Sequence, residues 1–219
     1  MQEHRISTTR RARYYTIGGG EARTESEVWI VLHGLGQLAG EFIGFFRDIA
    51  TPRRLVVAPE ALSRYYVEAG SSGGTKDAKV GAIWMTRADR ENEISDQVDY
   101  LDAVWRETAA GASSVTVLGF SQGVATACRW VARSASRVDR LVAWAGQLPP
   151  DVDAAVYRGL SGGVTLVAGS RDEYAAWIGE GNNDARLAAA GLTPRVESFD
   201  GGHRMDRLTL IRIAGPVEP

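Results

Sequence analysis

Apolar residues in this chain fall into two patterns that alternate from end to end. Short continuous runs, each stopped by glycine, proline or a polar cluster, occur at Val28–Leu32, Leu55–Ala58, Val115–Phe120, Leu141–Trp144 and Val164–Ala168, and Arg195–Phe199 is a last candidate of mixed polarity. A run without polar alternation is what a strand needs when a parallel sheet is covered on both faces. Between the runs, spacing turns helical. Phe42, Phe45, Phe46 and Ile49 share one side of a helix predicted over Ala39 to Ile49, and Ile94, Val98, Leu101, Val104 and Trp105 share one side of Glu93 to Ala110, which stops at Gly111. Further helices are predicted after Ser121 to about Ala135, over Tyr174 to Ile178, and over Asp184 to Ala190. Met205 to Ile213 is ambiguous by spacing, and helix is favoured because strand and helix must alternate. Tyr14–Ile17 is expected as an edge strand ending at three glycines, after thirteen polar residues expected to fray. The pattern predicts an α/β fold over 1–219: one domain, a mostly parallel central sheet and flanking helices.

One part follows neither pattern. From Glu60 to Met85 no period is visible, and the stretch includes the loop Gly70–Thr75. A long irregular segment in a small domain is usually functional. Tyr65, Tyr66, Trp84 and Met85 therefore become candidates for a substrate-pocket wall, although a disordered excursion and a core role for some of them also fit their chemistry.

The chemistry begins where the third confident run ends, at Gly119-Phe120-Ser121-Gln122-Gly123. A strand, a serine between two glycines and a helical stretch describe a nucleophile elbow: the turn is sharp enough to project the hydroxyl, and side chains at the glycine positions would strike neighbouring backbone. Two more polar residues sit just after predicted strands, Asp172 in Gly169-Ser170-Arg171-Asp172 and His203 in Gly201-Gly202-His203. In a parallel sheet such positions share one edge. A serine hydroxyl needs a histidine to take its proton and a carboxylate to fix that ring's tautomer, so Ser121, His203 and Asp172 form a candidate triad, with Glu173 and Asp200 as competitors for the acid. Singly, each has a structural reading as turn residue, helix cap or surface side chain. Of the other two histidines, His4 lies in the frayed terminus and His33 is read as a buried turn residue. The oxyanion of the reaction needs two donors. The Gln122 N–H, at a helix start, is one candidate, and the Leu35 N–H, in the glycine-rich turn after the first confident strand, is the other.

Through Leu32-His33-Gly34-Leu35-Gly36, Gly119-Phe120-Ser121-Gln122-Gly123, Gly169-Ser170-Arg171-Asp172 and Gly201-Gly202-His203, the chain resembles the carboxylesterase, lysophospholipase and acyl-protein thioesterase branch of the α/β-hydrolase superfamily. The resemblance implies an α/β-hydrolase fold without a large cap domain, Ser121 as nucleophile with Asp172 and His203, and Leu35 and Gln122 as oxyanion donors. It implies enzymes that often dimerise, so a homodimer is within the expectation. Two positions depart from the family pattern: Gln37 replaces a common aspartate, and the segment around Trp84-Met85-Thr86 differs from the usual substrate-groove loops. Ester hydrolysis carries over; protein depalmitoylation does not.

Charge changes little in this picture. With 25 Lys and Arg against 27 Asp and Glu, nothing points to nucleic acid or an anionic membrane surface. No apolar stretch approaches a membrane span or a signal-peptide core, so the expected location is the cytoplasm and stable membrane insertion is not expected. Cys128 is the only cysteine and reads as a small buried hydrophobe. Three scattered histidines make no zinc site, and no cofactor is expected. The predicted activity is hydrolysis of carboxylic esters with small or medium acyl chains. Lysophospholipid or thioester cleavage is the alternative, and a non-catalytic ligand-binding module is the alternative of another class.

Overall fold

In the interior strand β2 (Glu27–Leu32), Val28, Ile30 and Leu32 enter one hydrophobic layer while Trp29 and Val31 enter the opposite one. This is how a continuous apolar run fits a sheet buried on both faces. Residues 1–20, 27–67 and 78–216 are described by the computed structural model. Around β2 stand β1 (Tyr14–Ile17), β3 (Arg54–Pro59), β6 (Ser114–Phe120), β7 (Arg140–Trp144), β8 (Val164–Gly169) and β9 (Arg195–Phe199). They form a seven-stranded sheet of order β1-β3-β2-β6-β7-β8-β9, parallel except for β1, which pairs antiparallel with β3. The sheet order reverses between β3 and β6, so the segments leaving β2 and β6 sit side by side at the carboxyl edge. That edge is where open α/β sheets place their ligands.

Helices cover both faces. The layer holding Leu32 is closed by α2 (Arg90–Thr108) through Leu101 and Val104, by α3 (Gln122–Arg133) through Val124, Ala127 and Trp130, and by α5 (Asn183–Ala189) through Leu187. The other is closed by α1 (Ala39–Phe42) and by α6 (Arg207–Ala214), which contributes Leu210 and Ile213. The remaining helix, α4 (Ala175–Glu180), buries none of its residues. Among the described residues no helix is long and apolar enough to cross a membrane.

The fold departs from the sequence expectations in four places. The stretch from Glu60 to Met85 contains an antiparallel pair, β4 (Ser63–Tyr66) with β5 (Val80–Ile83), set apart from the main sheet. Two four-residue strands that read Ser-Arg-Tyr-Tyr and Val-Gly-Ala-Ile carry no clear alternation, so periodicity could not find them. The loop Gly70–Thr75 lies outside the described residues. The predicted helix Ala39–Ile49 is one α turn followed by a 3-10 turn, Ile43–Phe46, which leaves Phe45 exposed. Helix α2 begins at Arg90, before Glu93, and the short 3-10 helix Ala154–Gly159 was not anticipated; the Asp153 side chain caps it by accepting from the Ala155 N–H. The ambiguous closing stretch is helical, capped by the Asp206 carboxylate accepting from the Thr209 N–H at 2.9 Å.

The last carbonyls of α6 end on two guanidinium groups. Arg54, opposite Glu27 in the β2–β3 register, donates to Glu27 Oε2 at 2.6 Å, to the Ala214 carbonyl at 2.9 Å and to the Gly215 carbonyl at 3.3 Å, while Arg140 donates to the Ile213 carbonyl at 2.8 Å. Cations at a helix C-terminus satisfy orphan carbonyls and oppose the negative end of the dipole. Arg54 is nearly fully buried, and its removal strands those carbonyls and the Glu27 carboxylate together. Arg54→Met is therefore expected to lower unfolding free energy by about 2–4 kcal/mol, read as a lower urea midpoint at unchanged slope; an unchanged midpoint would contradict this role.

Candidate active site

The chain leaves β6 at Phe120 and enters α3 at Gln122, so Ser121 must reverse direction within one residue. It does so at φ 53° and ψ −117°, a conformation that L residues rarely hold. Neighbours allow nothing else. A Cβ on Gly119 would lie 2.4 Å from the Gly123 carbonyl oxygen, and one on Gly123 would lie 2.3 Å from the Leu32 carbonyl oxygen. Both glycines are thus required by close backbone approach. The Ser121 N–H donates to the Trp144 carbonyl at 2.9 Å, which extends the β6–β7 ladder to the turn itself.

Asp172 and His203 arrive on loops that the backbone ties together: the Ser170 N–H donates to the Phe199 carbonyl and the Arg171 N–H to the Gly201 carbonyl, each at 2.9 Å. Asp172 Oδ1 accepts from the Tyr174 N–H at 2.8 Å, and its two oxygens lie 3.1 and 2.9 Å from His203 Nδ1. His203 Nε2 lies 2.9 Å from Ser121 Oγ. A carboxylate on Nδ1 places the proton there and leaves Nε2 to accept from the serine. The competitors do other work. Glu173 accepts the His203 backbone N–H at 3.1 Å, and its own backbone N–H first, then that bond, hold its carboxyl below the usual range, while Asp200 pairs with Arg171. The imidazole is flanked by the Phe120 ring at 5.1 Å and the Tyr174 ring at 4.7 Å, centroid to centroid, which fixes its plane. Cys128, the single cysteine, is wholly buried and its thiol is pushed up to about 12 by that burial, so it stays protonated.

The turn after β2 is held from two sides. Gln37, where the family pattern has aspartate, accepts the Gly34 N–H on its side-chain oxygen at 2.8 Å. On the outer side, the Gly36 N–H donates to the Ala82 carbonyl at 2.9 Å and the Ala82 N–H to the Gln37 carbonyl at 3.2 Å, which ties the turn to β5. Among the described residues the Leu35 N–H has no acceptor. The Gln122 N–H, at the first position of α3, has no intrahelical acceptor either. His33 is buried: its Nε2 accepts from the Ala61 N–H at 3.1 Å, so Nδ1 carries the proton and donates to the Gly34 carbonyl at 2.8 Å. Burial pushes its pKa down, in keeping with a neutral ring.

Above Ser121 lies a cleft of about 790 Å³, lined by Leu35, Phe120, Gln122, Ala125, Arg129 and His203 on one part of its wall and by Gln147, Pro149, Pro150, Tyr174 and Trp177 on another. The four residues expected to form this wall do not line it. Trp84, 1 % exposed, is core: its indole N–H donates to the His33 carbonyl at 2.8 Å, its ring lies 5.0 Å from the His33 ring, and its backbone N–H donates to Gln122 Oε1 at 3.1 Å. Met85 packs partly buried against the same core, and its carbonyl accepts from Gln122 Nε2 at 3.1 Å. Tyr65 and Tyr66 are surface residues of β4, with the Tyr65 hydroxyl beside Gly36. The actual wall comes from segments that follow β7 and β8. The rule that singled out Asp172, position beyond the carboxyl end of a parallel strand, applies equally to Gln147–Pro150 and Tyr174–Trp177.

This architecture, with a mostly parallel sheet, a serine elbow after the central strand and an acid and a histidine on later strand ends, is the α/β-hydrolase fold. No protein-family model matches the sequence, and no curated protein does. Solved structures do match in fold. An esterase named PE8 aligns at 21 % identity and a TM-score of 0.67, covering 93 % of this chain and 96 % of its own. Zea mays acyl-protein thioesterase 2 aligns at 15 % identity and 0.67 over the same shares, and the Bacillus cereus carboxylesterase at 13 % and 0.63, covering 93 % of this chain and 92 % of its own. Among the described residues no group of three or more His, Cys, Asp or Glu is arranged to hold a metal ion.

The strain at Ser121 has a measurable consequence. Glycine relieves a backbone cost of about 1–3 kcal/mol but adds about 0.5–1 kcal/mol of unfolded-state entropy, so the strain term wins. Ser121→Gly is expected to raise unfolding free energy by about 1 kcal/mol; a fall in the denaturation midpoint would contradict a strained elbow.

Proposed function

We propose that this chain is a serine hydrolase that cleaves carboxylic esters of small or medium acyl chains through an acyl-enzyme. The observation that carries the reading is the continuous Asp172–His203–Ser121 hydrogen-bond chain at the floor of a mostly apolar cleft. Ser121 Oγ attacks the ester carbonyl while His203 Nε2 takes its proton, and the cation that forms is supported by the buried Asp172 carboxylate. The carbonyl oxygen becomes an oxyanion, met by the unpaired N–H groups of Leu35 and Gln122. His203 then returns the proton to the departing alcohol. Water, activated by the same ring, attacks the acyl-Ser121 ester and releases the acid. Atoms balance as one ester and one water giving one alcohol and one acid.

Thioester or lysophospholipid cleavage is the second reading, favoured by the exposed Tyr174 and Trp177 rings at the cleft, which provide apolar surface for a longer chain. A ligand-binding module without activity would need no hydrogen-bonded serine, and a fluorophosphonate probe separates the two classes. Labelling of the protein, abolished in Ser121→Ala, is expected; a folded protein that resists the probe would refute the hydrolase reading. Across p-nitrophenyl esters of increasing chain length, with thioester and lysophospholipid substrates alongside, kcat/KM is expected to be highest for short or medium acyl esters, and a flat profile would remove the case for a bounded pocket.

Trp84 supports the oxyanion hole from behind, since it bonds the carbonyl of His33 in one donor's turn and the side chain of the other donor, Gln122. Trp84→Phe keeps an aromatic ring, though a smaller one, and loses the indole N–H. The expected effect is a fall in kcat of about tenfold with KM little changed, because an oxyanion donor acts mainly in the transition state. A rise in KM at constant kcat would show instead that Trp84 supports substrate binding.

A further inference from the structure

At the far end of the cleft sits a charge the proposed hydrolysis does not use. Arg129 is 7 % exposed and is one of the residues that line the cleft. One edge of its fork is committed, Nε to Asp151 Oδ2 and Nη2 to Asp151 Oδ1, both at 2.9 Å. Beyond Asp151, its one further hydrogen-bond partner among the described residues is the Met85 thioether, 3.7 Å from Nη1 and a weak acceptor. Each guanidinium nitrogen thus has one partner, and of the five N–H groups one on Nη1 and one on Nη2 have none among the described residues.

Nor is the charge balanced locally. Asp151 also takes Arg90 at 2.9 Å, and two guanidinium groups on one carboxylate hold its carboxyl well below the usual range. Glu91 is the other carboxylate of the cluster, shared by Arg90 and Arg133 and largely exposed. Three arginines thus face two carboxylates. Arg129, the most buried of the three, borders the space where substrate would lie.

Position gives the group a distance from the reaction. Ser121, Ala125 and Arg129 line the cleft at successive steps of four along α3, which puts Arg129 about 12 Å along the helix from the nucleophile. The departing oxygen must lie against His203 Nε2, so the alcohol belongs on the side of Tyr174, whose ring contacts that imidazole. The acyl chain is left with the channel past Ala125 and the Pro149-Pro150 wall. We infer that Arg129 forms an anion subsite for the far end of the acyl chain, so that the preferred substrates are monoesters of dicarboxylic acids, their free carboxylate received by the uncommitted edge of the guanidinium. A planar carboxylate fits that edge with two parallel hydrogen bonds. This rests on the serine-hydrolase reading and narrows its substrate class.

The test compares p-nitrophenyl monoesters of succinate, adipate, suberate and sebacate with neutral acyl esters of the same lengths, on protein first shown to be labelled by the fluorophosphonate. The expected result is a kcat/KM ratio of carboxylate to neutral ester of about ten- to a hundredfold at the best chain length, falling to about one in Arg129→Met. Because that variant strands Asp151 and can fail to fold, Asp151→Asn supplies a second reading: it keeps the guanidinium and removes its counter-charge, so the ratio is expected to rise. A labelled enzyme with equal rates on both series, or a ratio that falls or stays the same in Asp151→Asn, overturns the inference and leaves the hydrolase reading intact. Failure of the probe to label overturns the hydrolase reading and this inference with it.

Discussion

The site depends on one constraint, the reversal of the chain at Ser121 in a backbone conformation that costs free energy. Strain of about 1–3 kcal/mol survives only if the surroundings permit no relaxation. Here β6 is fixed between β2 and β7, α3 is packed on the sheet through Val124, Ala127 and Trp130, and Gly119 and Gly123 leave no room for a side chain. The turn is the shortest junction joining those two rigid elements. Its effect is to raise Oγ clear of the sheet while exposing the first N–H of α3 beside it. The Ser121 hydroxyl and the Gln122 N–H, the proposed nucleophile and one proposed oxyanion donor, are therefore placed by the same steric fact.

A second level of organisation positions the partners. Parallel strands deliver their carboxyl ends to one edge, and the loops after β8 and β9 are joined by backbone hydrogen bonds before any side chain is considered. His203 is then held between Phe120 and Tyr174 and bonded at both nitrogens. The opposite side of the site is supported by a less obvious element. The small β4–β5 pair lies outside the main sheet, yet Ala82 grips the turn that carries Leu35, and Trp84 connects that turn to Gln122. An excursion from the α/β pattern thus backs the turn that carries Leu35.

Most of the sheet was legible in the sequence because its strands are buried on both faces and read as unbroken apolar runs. Ser121 and Asp172 were legible for a related reason, since each lies just beyond such a run, and His203 lies just beyond the mixed run Arg195–Phe199; the structure brings the three side chains within hydrogen-bond distance. Short elements were not legible. Strand β5 contains glycine and alanine, and its partner β4 is mostly exposed, so neither carries a period. Trp84 and Met85 were misplaced because aromatic and thioether side chains suit a pocket wall and a core equally well, and only the fold decides between them. The cleft wall of Pro149, Pro150, Tyr174 and Trp177 lies beyond the carboxyl ends of β7 and β8, a position the sequence shows, but which of those loop residues meet across the sheet edge is set by the fold. Arg129 was hidden for the opposite reason. Inside a helix its charge reads as a solvated face, whereas the structure buries it beside the cleft.

The proposed reaction requires Ser121 to carry the acyl group during turnover. Mixing enzyme with an activated ester, quenching in acid within the first turnovers and mapping the added mass by peptide mass spectrometry tests it directly. An acyl group on the peptide containing Ser121, lost with time in water as acid is released, is the predicted result. Steady ester cleavage with no acylated Ser121, or with the acyl group on another residue, would contradict it.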